Sequence, residues 1–275
     1  MIDLVYCGNE KVFDGILTSL LSIMMRDPSK DQYRVTVLTM DLTRLKPEYL
    51  PISDKLIAFL DSVVKRYNEK SLVRKIDVTD LYEEHLGRGP NESAYCSPYT
   101  LIRLFIDSLP DMGNRILYLD ADLFFNRDIH LLYDYPLGDA DFGAANDHYG
   151  KYLIHPRYIN AGVVLFNMDR CRETGLFDKA RKLICTKKML FADQSALNRS
   201  AVKKKLLPQR FNDQKFLHKW TVVRHFAKRL FWLPYPHTAN IKQWMIDDVH
   251  RIFRYHQFDD IYEVYLRDKK AYEEQ

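Results

Sequence analysis

Residues 115–122 have the sequence RILYLDAD, a short run of apolar residues that ends on two aspartates. Such a run, bounded by polar residues, predicts a buried β-strand over 115–119. Asp120 and Asp122 stand two positions apart, so that they share a face of an extended chain, and a turn can direct both at one cation. Aspartate pairs after strands are also common as helix caps and surface turns. The motif alone leaves both interpretations open.

On the N-terminal side of this run, strand-like and helix-like patterns alternate. Strands are predicted at residues 2–7, 33–40 and 72–78, and helices from Phe13 up to Pro28, at 53–68 and at 97–109, where Ser97-Pro98 resembles an N-cap followed by proline. This alternation predicts right-handed βαβ units and a mostly parallel sheet. Ligands bind outside the carboxyl ends of such strands. Gly8-Asn9, after the first strand, and Asp120 with Asp122 are therefore expected on one rim.

Beyond residue 140 the predicted strands are shorter, at 142–145, 163–167 and 251–255. The chain has no internal repeat and no Gly/Ser linker. We therefore predict an α/β fold in a single domain over residues 1–275. Residues 1–202 would form the core, and residues 203–275 a C-terminal helical elaboration.

Composition limits the class of protein. The net charge of +4 is too small for a nucleic-acid-binding surface. No run of about 20 apolar residues is present, and the first residues lack the basic and apolar regions of a signal peptide, so a cytoplasmic location is expected. The four cysteines, Cys7, Cys96, Cys171 and Cys185, are widely spaced, which predicts buried, reduced thiols.

The aspartate pair has a clear chemical use. Carboxylate oxygens are suitable ligands for Mn²⁺ or Mg²⁺, and such a cation holds the oxygens of a diphosphate. In transfer of a sugar from a nucleotide-sugar, the bond that breaks joins the anomeric carbon to the diphosphate. The cation stabilises the negative charge that grows on this leaving group.

The wider sequence resembles glycosyltransferase family 8, which includes bacterial lipopolysaccharide galactosyl- and glucosyltransferases and, more distantly, glycogenin. The resemblance extends from Asp3 to about Asn212. It depends on several blocks in the family's order, namely residues 5–9 (VYCGN), 99–104 with Arg103, 116–122 (ILYLDAD), 143–147 (GAAND), 158–163 (YINAGV), Asp193-Gln194 with Leu197-Asn198, and 210–212 (RFN).

This resemblance implies a GT-A type, Rossmann-like nucleotide-binding domain and a retaining transferase. It would move a hexose, glucose or galactose, from a UDP-sugar to a glycan or glycolipid acceptor with Mn²⁺ as cofactor. A carboxylate nucleophile such as Asp193 and a front-face attack, in which the diphosphate accepts the acceptor's proton, are both compatible with retention. The sequence leaves these two routes open.

The resemblance also implies roles for individual residues. Asp193 and Gln194 would be catalytic on the far side of the sugar, and Asp147 would face the acceptor. Asn9 stands where the family commonly has aspartate, which alters the expected contact with uracil. The implied nucleotide-binding residues are Tyr6, Cys7, Gly8, Asn9 and Ala121, and the implied donor-sugar residues are Arg103, Asn160, Ala161 and Gly162.

The end of the chain departs from the family pattern. Members often finish with His-x-x-Gly-x-x-Lys-Pro-Trp, whose histidine binds the metal and whose glycine and lysine hold the diphosphate. Here His256 follows the predicted strand 251–255, without the glycine, lysine or Pro-Trp. His256 is therefore predicted as the third metal ligand beside Asp120 and Asp122.

Residues 203–232 are basic and aromatic. Phe216, Trp220, Val223, Ala227, Leu230 and Phe231 fit one face of a helix. Such a helix either packs on its own domain or lies on an anionic membrane as a peripheral contact. A homo-oligomer is also left open.

Two other functions compete with transfer. A sugar nucleotidyltransferase would need a glycine-rich basic loop after the first strand, and the residues after Gly8 are poor in glycine. A non-catalytic nucleotide-sugar-binding protein is suggested by the altered C-terminal motif.

Overall fold

The computed structural model describes residues 1–92, 97–232 and 235–274. Cys96, one of the four predicted thiols, lies outside the described residues. Cys171 is buried as predicted and Cys7 is half-buried, but Cys185 is exposed, so the prediction of burial is wrong for Cys185. Among the helices of the described ranges, none combines the length and the apolar character needed to cross a membrane.

Strands and helices alternate through the first two thirds of the chain. In the described residues, the strands are β1 Ile2–Cys7, β2 Tyr33–Thr39, β3 Leu72–Asp77, β4 Arg115–Leu119, β5 Leu123–Phe125, β6 Phe142–Ala145, β7 Val163–Asn167, β8 Lys204–Leu207, β9 Val223–His225, β10 Arg229–Phe231 and β11 His237–Ala239. The α-helices are α1 Phe13–Arg26, α2 Asp54–Lys65, α3 Thr79–His85, α4 His130–Tyr133, α5 Gly150–Leu153, α6 Met168–Thr174, α7 Leu176–Thr186, α8 Ala192–Ser200, α9 Ile246–Asp248 and α10 Asp259–Glu273.

A mixed sheet organises these elements. Its strand order, for the described residues, is β3-β2-β1-β4-β7-β6-β8. The pairs β3-β2, β2-β1, β1-β4 and β6-β8 are parallel, whereas β7 runs antiparallel to both of its neighbours. The predicted mostly parallel α/β sheet is confirmed. Its first four strands in chain order match the predicted strands closely, and three of them, β1, β2 and β4, are rich in buried apolar residues.

Two hydrophobic cores cover the two faces of this sheet. One contains apolar residues of α1, α2 and α10, and the other contains those of the 3₁₀ helix Pro98–Ser108 together with α7 and α8. Successive strand residues face opposite cores, so Leu4 and Tyr6 belong to the first core and Val5 to the second. Ser97 caps the 3₁₀ helix, with its side chain accepting a hydrogen bond from the backbone N–H of Tyr99. Helical structure is thus present where it was predicted, but in the 3₁₀ form.

The predicted amphipathic helix within residues 203–232 is wrong. The segment contains β8, β9, β10 and a 3₁₀ turn at Gln209–Phe211 instead. β8 pairs with β6, and β9 pairs with β5. Strands that are distant in sequence thus supply the backbone hydrogen-bond partners, and this pairing outweighs the helical spacing of the apolar residues. Val223 is fully buried while Phe216 and Trp220 are about half exposed, so the apolar residues share no single face. The hypothesis of a peripheral membrane contact depended on an amphipathic helix, and this segment does not form one.

The predicted strand at 251–255 is also wrong. Residues Val249–Phe253 form a π-helical turn, and Arg254 follows it in the left-handed region at φ 56°. An extended strand cannot continue through that conformation. The predicted C-terminal helices are present only from Ile246 onwards, after β8 to β11, and they end in α10, which packs against α1.

Candidate active site

The carboxyl ends of β1 and β4 meet at one rim of the sheet. The two strands are adjacent and parallel, with Asp3 opposite Ile116. A cavity of about 230 Å³ opens there, lined on one side by residues after β1 and on the other by residues after β4. Four of the predicted nucleotide-binding residues lie in its wall, namely Cys7, Gly8, Asn9 and Ala121.

Tyr6 does not belong to this wall. Its side chain is fully buried in the core against α1, and its hydroxyl is 2.9 Å from the Ser19 hydroxyl. Strand alternation turns Tyr6 away from the side that Cys7 faces. The Tyr6 side chain is therefore turned away from the cavity, and the predicted nucleotide contact of Tyr6 could be made only by its backbone groups. Burial raises the pKa of the Cys7 thiol to about 12, so Cys7 lines the cavity as a neutral thiol.

Asp120 is held at the end of β4 by three hydrogen bonds, one that it donates and two that it accepts. Its backbone N–H donates to the Gly162 carbonyl at 2.8 Å, while its Oδ1 accepts from the Tyr118 hydroxyl at 2.8 Å and from Arg103 Nη2 at 3.0 Å. The backbone bond ties the turn after β4 to the residue before β7. The carboxylate is therefore oriented by fixed groups rather than by solvent.

Asp122 lies between a histidine and a lysine that come from far along the chain. Its Oδ1 is 3.1 Å from Nε2 of His225, and its Oδ2 is 2.5 Å from Nζ of Lys242. Burial opposes ionisation of Asp122, but the charge of Lys242 and the contact with His225 outweigh it and hold the pKa of Asp122 well below its usual range. Asp122 is a carboxylate in this environment.

The position of His225 follows from strand pairing. β5 begins directly after Asp122 and runs antiparallel to β9, with Leu123 opposite His225. The backbone N–H of Phe226 donates to the Asp122 carbonyl at 2.8 Å and extends the ladder. Ligand atoms of Asp120, Asp122 and His225 all lie within 4.8 Å of one another. Two oxygens and one imidazole nitrogen form a donor set suited to Mn²⁺.

A chain of side-chain hydrogen bonds determines which nitrogen of His225 carries a proton. Oδ1 of Asn160 accepts from the Gly162 backbone N–H at 3.0 Å, which fixes the orientation of that amide. Asn212 Nδ2 donates to the same Oδ1 at 2.8 Å, and Asn212 Oδ1 lies 3.0 Å from His225 Nδ1. Because Nδ1 then donates to Asn212, the neutral tautomer has its lone pair on Nε2, which is the nitrogen available to a cation. A metal-ligating histidine requires this tautomer.

The side chains of His225 and Asp120 both lie close to Gly162, which supports their assignment to one metal site. A Cβ at this position would lie 2.4 Å from Cε1 of His225 and 2.8 Å from Oδ2 of Asp120. Only glycine leaves room for both side chains. Asp120, Asp122 and His225 thus have both the donor chemistry and the space to hold a divalent cation.

Arg103 lies beneath the cavity rather than in its wall. Only 2% of Arg103 is exposed. Its guanidinium donates to the carbonyls of Thr100 and Ala161 and pairs with Asp120 and with Asp193, each at 3.0 Å for the carboxylates. Burial opposes the charge, but Asp193, together with Tyr118 and Asp120, raises the pKa of Arg103 above its usual value. The predicted direct contact with the donor sugar is not what this geometry provides.

Asp193 shares that buried position. It is 4% exposed and lines neither cavity of the rim, and burial raises its pKa despite the opposing charge of Arg103. This buried ion pair with Arg103 offers no open face of Asp193 to a substrate, so the predicted catalytic role of Asp193 stays a prediction. Its neighbour Gln194 does face the open side, where it lines a second, larger cavity of about 740 Å³.

Asn160, Gln194 and Asp147 come together in that second cavity. Asn160 Nδ2 donates to Asp147 Oδ2 at 3.0 Å, and Gln194 Nε2 donates to the same oxygen at 3.4 Å. Gln194 Oε1 accepts from the Ala161 backbone N–H at 3.0 Å. Ala161 is buried and contributes backbone groups only. The structure therefore brings the predicted donor-sugar and acceptor residues into one region, with Asn160, Gln194 and Asp147 facing it.

His256 lies elsewhere, which corrects the predicted metal ligand. Its side chain is 65% exposed, its Nδ1 is 3.3 Å from Asp259 Oδ2, and its ring stacks on His250. Because Val249–Phe253 is a helical turn and no strand follows it, residue 256 is not delivered to the sheet rim. His225 occupies the position that was assigned to His256.

Sequence reasoning missed His225 and Lys242 because an insertion separates them. Lys242-Gln243-Trp244 matches the Lys-Pro-Trp end of the family motif except at its middle residue. His225 matches the histidine, and the β10–β11 hairpin lies between the two parts. Gln243 Nε2 donates to the Ala121 carbonyl at 2.7 Å, which anchors the lysine segment beside the aspartates. Lys242 and Trp244 both line the smaller cavity.

Comparison with known proteins agrees with this geometry. The family model described as glycosyl transferase family 8 matches residues 3–215. The comparison with curated proteins gives no match. Among solved structures, the galactosyltransferase LgtC in complex with donor and acceptor sugar analogs superposes with a TM-score of 0.65 at 18% identity, covering 96% of this chain and 95% of that one.

Two other solved structures are longer than this chain. The bifunctional glycosyltransferase WbbM has a TM-score of 0.67 at 18% identity, covering 95% of this chain but only 51% of WbbM. The glycosyltransferase GlyE of Streptococcus pneumoniae TIGR4 has a TM-score of 0.58 at 18% identity, covering 98% of this chain and 65% of GlyE. The chain thus spans about half of WbbM and two thirds of GlyE. These matches confirm the predicted GT-A type fold.

Proposed function

This chain belongs to glycosyl transferase family 8, and on that premise we propose that it transfers a hexose from a UDP-hexose to a saccharide acceptor, with a divalent cation. One observation carries the proposal. The ligand atoms of Asp120, Asp122 and His225 converge within 4.8 Å beside the rim cavity, and Lys242 stands next to them.

Asp120, Asp122 and His225 are the residues that would hold the cation. Mn²⁺, or Mg²⁺, is compatible with two carboxylates and a neutral imidazole. When bound, the cation supplies positive charge that stabilises the diphosphate as it leaves the sugar. Lys242 adds a second positive charge on the same side, 2.5 Å from Asp122. Cation and lysine together would form the diphosphate site.

The smaller cavity is proposed to take the uridine. Its wall includes Cys7, Gly8 and Asn9 at the end of β1, and Tyr99 and Trp244 on the other sides. Asn9 is 4% exposed, and its Oδ1 caps the following turn by accepting from the backbone N–H of Lys11 at 3.2 Å. Its amide nitrogen can donate where the family's aspartate can only accept. Uracil would therefore be contacted differently here than in family members with aspartate.

In the proposed reaction, the bond between the anomeric carbon and the diphosphate oxygen breaks with its electron pair going to the diphosphate. The acceptor hydroxyl oxygen forms the new bond to the anomeric carbon, and its proton passes to the departing diphosphate. The burial of Asp193 beneath Arg103 favours this front-face route over a covalent intermediate on that carboxylate. Gln194 and Asn160 would hold the sugar from the far side.

The hypothesis of a non-catalytic binding protein depended on the altered C-terminal motif. Lys242 and His225 supply the two charged or metal-binding members of that motif through a longer connection. The remaining reason for that hypothesis is the lack of glycine in the connection. We propose UDP-glucose and UDP-galactose as donors, and a glycan or glycolipid as acceptor.

The test is release of UDP from each UDP-hexose, with Mn²⁺, with Mg²⁺ and with EDTA. We expect slow hydrolysis that needs the cation and is accelerated by a saccharide acceptor. Asp120→Asn keeps the shape of the side chain but removes its charge. If Asp120→Asn releases UDP at the wild-type rate, or if nucleoside triphosphates but not UDP-hexoses bind with Mn²⁺, the proposed function is wrong.

A further inference from the structure

The larger cavity continues past the cation-binding residues to the opposite side of the rim. It shares Asp120, Asp122 and Lys242 with the smaller cavity and reaches Asp147, Tyr149 and the start of β10. Since the diphosphate is proposed to lie at Lys242, the far end of this cavity is the part left for an acceptor. The present inference rests on the proposed function in this respect.

Basic side chains line that far end. His148, Lys215, Lys228 and Arg229 all border the cavity there, against a single carboxylate, Asp147, among the described residues of that end. Asp147 already accepts from Asn160 and Gln194 side chains and from the backbone N–H groups of Tyr149 and Gly150. Its oxygens are therefore engaged by neutral donors, and its single negative charge is outnumbered by the basic groups.

Two of the basic groups have no acidic partner. In the chain as described, no carboxylate lies within 4.0 Å of the charged nitrogens of Lys215 or Arg229. Arg229 Nη1 donates to the Lys215 carbonyl at 3.0 Å, which fixes the two residues relative to each other. Nε of Arg229 is buried without a hydrogen-bond partner. Because this nitrogen is closed to solvent, its lack of a partner is a cost of holding the Arg229 side chain in this position.

Aromatic rings hold the Arg229 side chain in place. Its guanidinium carbon lies 5.4 Å from the ring centre of Phe216 and 5.1 Å from that of Phe231. These contacts orient the cation and shield it from water. An anion that reaches Arg229 would therefore meet a preorganised, poorly hydrated guanidinium, which binds phosphate and carboxylate well.

The pKa of His148 also reflects the positive charges near this end of the cavity. Burial and the charges of Lys215 and Lys151 lower the pKa of His148, against the opposing effect of Asp147. The ring is thus surrounded by more positive than negative charge. It contributes hydrogen-bonding capacity to the far end without adding a further fixed charge.

The insertion between His225 and Lys242 supplies Lys228 and Arg229 to the far end of the larger cavity. Arg229 stands at the start of β10, and the backbone N–H of Leu230 donates to the Tyr149 hydroxyl at 3.4 Å. The hairpin therefore joins the acceptor side of the cavity to the segment that supplies the metal ligand. The same segment lacks the glycine of the family motif and brings two basic residues instead.

From these contacts we infer that the acceptor carries an anionic group, a phosphate or a carboxylate, which binds between Lys215 and Arg229 while the reacting hydroxyl lies near Gln194. Charge-assisted hydrogen bonds from the guanidinium and the ammonium select the anionic acceptor over its neutral parent. The acceptor class is thus an acidic or phosphorylated saccharide.

The experiment measures saccharide binding to the protein saturated with UDP and Mn²⁺. Methyl β-galactoside, its 6-phosphate, the corresponding uronate and a prenyl diphosphate galactose are titrated, which separates phosphate on the sugar, carboxylate on the sugar and a lipid diphosphate. We expect at least one anionic form to bind about tenfold or more tightly than the neutral parent. The preference should weaken as salt is raised. Equal affinities for all four compounds would overturn the inference.

Variants test whether the tighter binding of anionic saccharides depends on Lys215 and Arg229. Lys215→Ala combined with Arg229→Ala should reduce the discrimination to about twofold or less, and Arg229→Lys should retain part of it. Lys219→Ala, an exposed lysine of the same segment outside the cavity, is the matched control and should keep the wild-type discrimination. A double variant with undiminished discrimination would overturn the inference. Each variant's UDP–Mn²⁺ affinity is measured first, and a wild-type protein that fails to bind UDP with Mn²⁺ contradicts the proposed function instead.

A lipid surface is the other source of anionic groups. Binding to phosphatidylglycerol vesicles is compared with binding to phosphatidylcholine vesicles for the same variants. If the double variant loses vesicle binding but keeps its discrimination among saccharides, Lys215 and Arg229 face a membrane and the acceptor inference is wrong.

Discussion

His225, at the end of β9, and Asp122, directly before β5, face each other where these two three-residue strands pair, with Nε2 of the histidine 3.1 Å from Oδ1 of the aspartate. The pairing of β5 with β9 creates this relationship, since Leu123 stands opposite His225. Neither strand is long enough to be stable alone, so the relative position of His225 and Asp122 depends on the surrounding core. The metal-binding geometry is therefore a product of tertiary structure rather than of a local motif.

The first prediction compares two histidines. His225→Ala should weaken Mn²⁺ affinity by about tenfold or more, because one of three protein ligands is lost. His256→Ala is the matched control, since His256 is exposed and lies on Asp259. Mn²⁺ titration followed by UDP release measures both. The opposite pattern, with His256→Ala impaired and His225→Ala normal, would show that the C-terminal segment reaches the site in solution.

The second prediction concerns the hydrogen-bonded chain behind His225. Asn212→Ala removes the acceptor for Nδ1 of His225, so the tautomer with its proton on Nδ1 and its lone pair on Nε2 is no longer favoured. We expect Mn²⁺ affinity to fall about 10- to 100-fold. Uridine affinity measured without metal is the control, because Asn212 does not line the smaller cavity. Equal losses of Mn²⁺ and uridine affinity would indicate a general structural defect and contradict the positioning role.

The strands of the sheet core were predictable because each carries its own signal. Arg115–Leu119 and Val163–Asn167 are apolar runs whose burial is visible in the sequence, and the structure has them within the predicted bounds. Residues 203–232 carried a helical period by coincidence. Their strands are three or four residues long and exist because β5, β6 and β11 offer partners, which the helical spacing does not reveal.

The site was predictable to the extent that it lies at strand ends. Asp120 and Asp122 follow β4 directly and could be placed by topology alone. His225 and Lys242 could not, because the hairpin between them separates the two halves of a familiar motif. The match of Lys242-Gln243-Trp244 to Lys-Pro-Trp was the available signal. It would have been found by allowing an insertion inside the motif.

The third prediction tests the space at Gly162. An added Cβ would lie 2.4 Å from Cε1 of His225 and 2.8 Å from Oδ2 of Asp120, so one of these side chains must move. Gly162→Ala should therefore weaken Mn²⁺ affinity about tenfold or more and lower stability by about 1–3 kcal/mol. Metal titration and urea unfolding measure the two effects. Wild-type Mn²⁺ affinity in this variant would mean that Asp120 and His225 do not bind the same ion.

The fourth prediction assigns Lys242 to the diphosphate. Lys242→Gln keeps much of the side-chain length but removes the charge beside Asp122. UDP affinity should fall about tenfold, while uridine affinity, which involves no phosphate, should change little. Lys242→Arg should retain part of the UDP affinity. Parallel titrations of UDP and uridine decide the matter, and a loss of the same size for both ligands would place Lys242 at the base instead.

The last prediction concerns Arg103, which sequence resemblance assigns to the donor sugar and the structure buries. Its guanidinium pairs with Asp120 and Asp193 and stacks over the Tyr118 ring, with 4.1 Å from the guanidinium carbon to the ring centre. Removing one partner of a buried ion pair leaves the other charge uncompensated, which costs about 3–5 kcal/mol. Arg103→Ala should therefore lower the free energy of unfolding by about that amount in the absence of any ligand.

Arg172→Ala is the control for this loss. Arg172 is 47% exposed and pairs with Asp169 at 3.5 Å, so its removal should cost at most about 1 kcal/mol. Urea unfolding without ligand measures both variants. A residue that only binds the donor would leave the unfolding free energy of the free protein unchanged and would weaken UDP-hexose binding alone. That result for Arg103→Ala would restore the direct donor contact, whereas a large loss of stability assigns Arg103 to holding Asp120 and Asp193 in place.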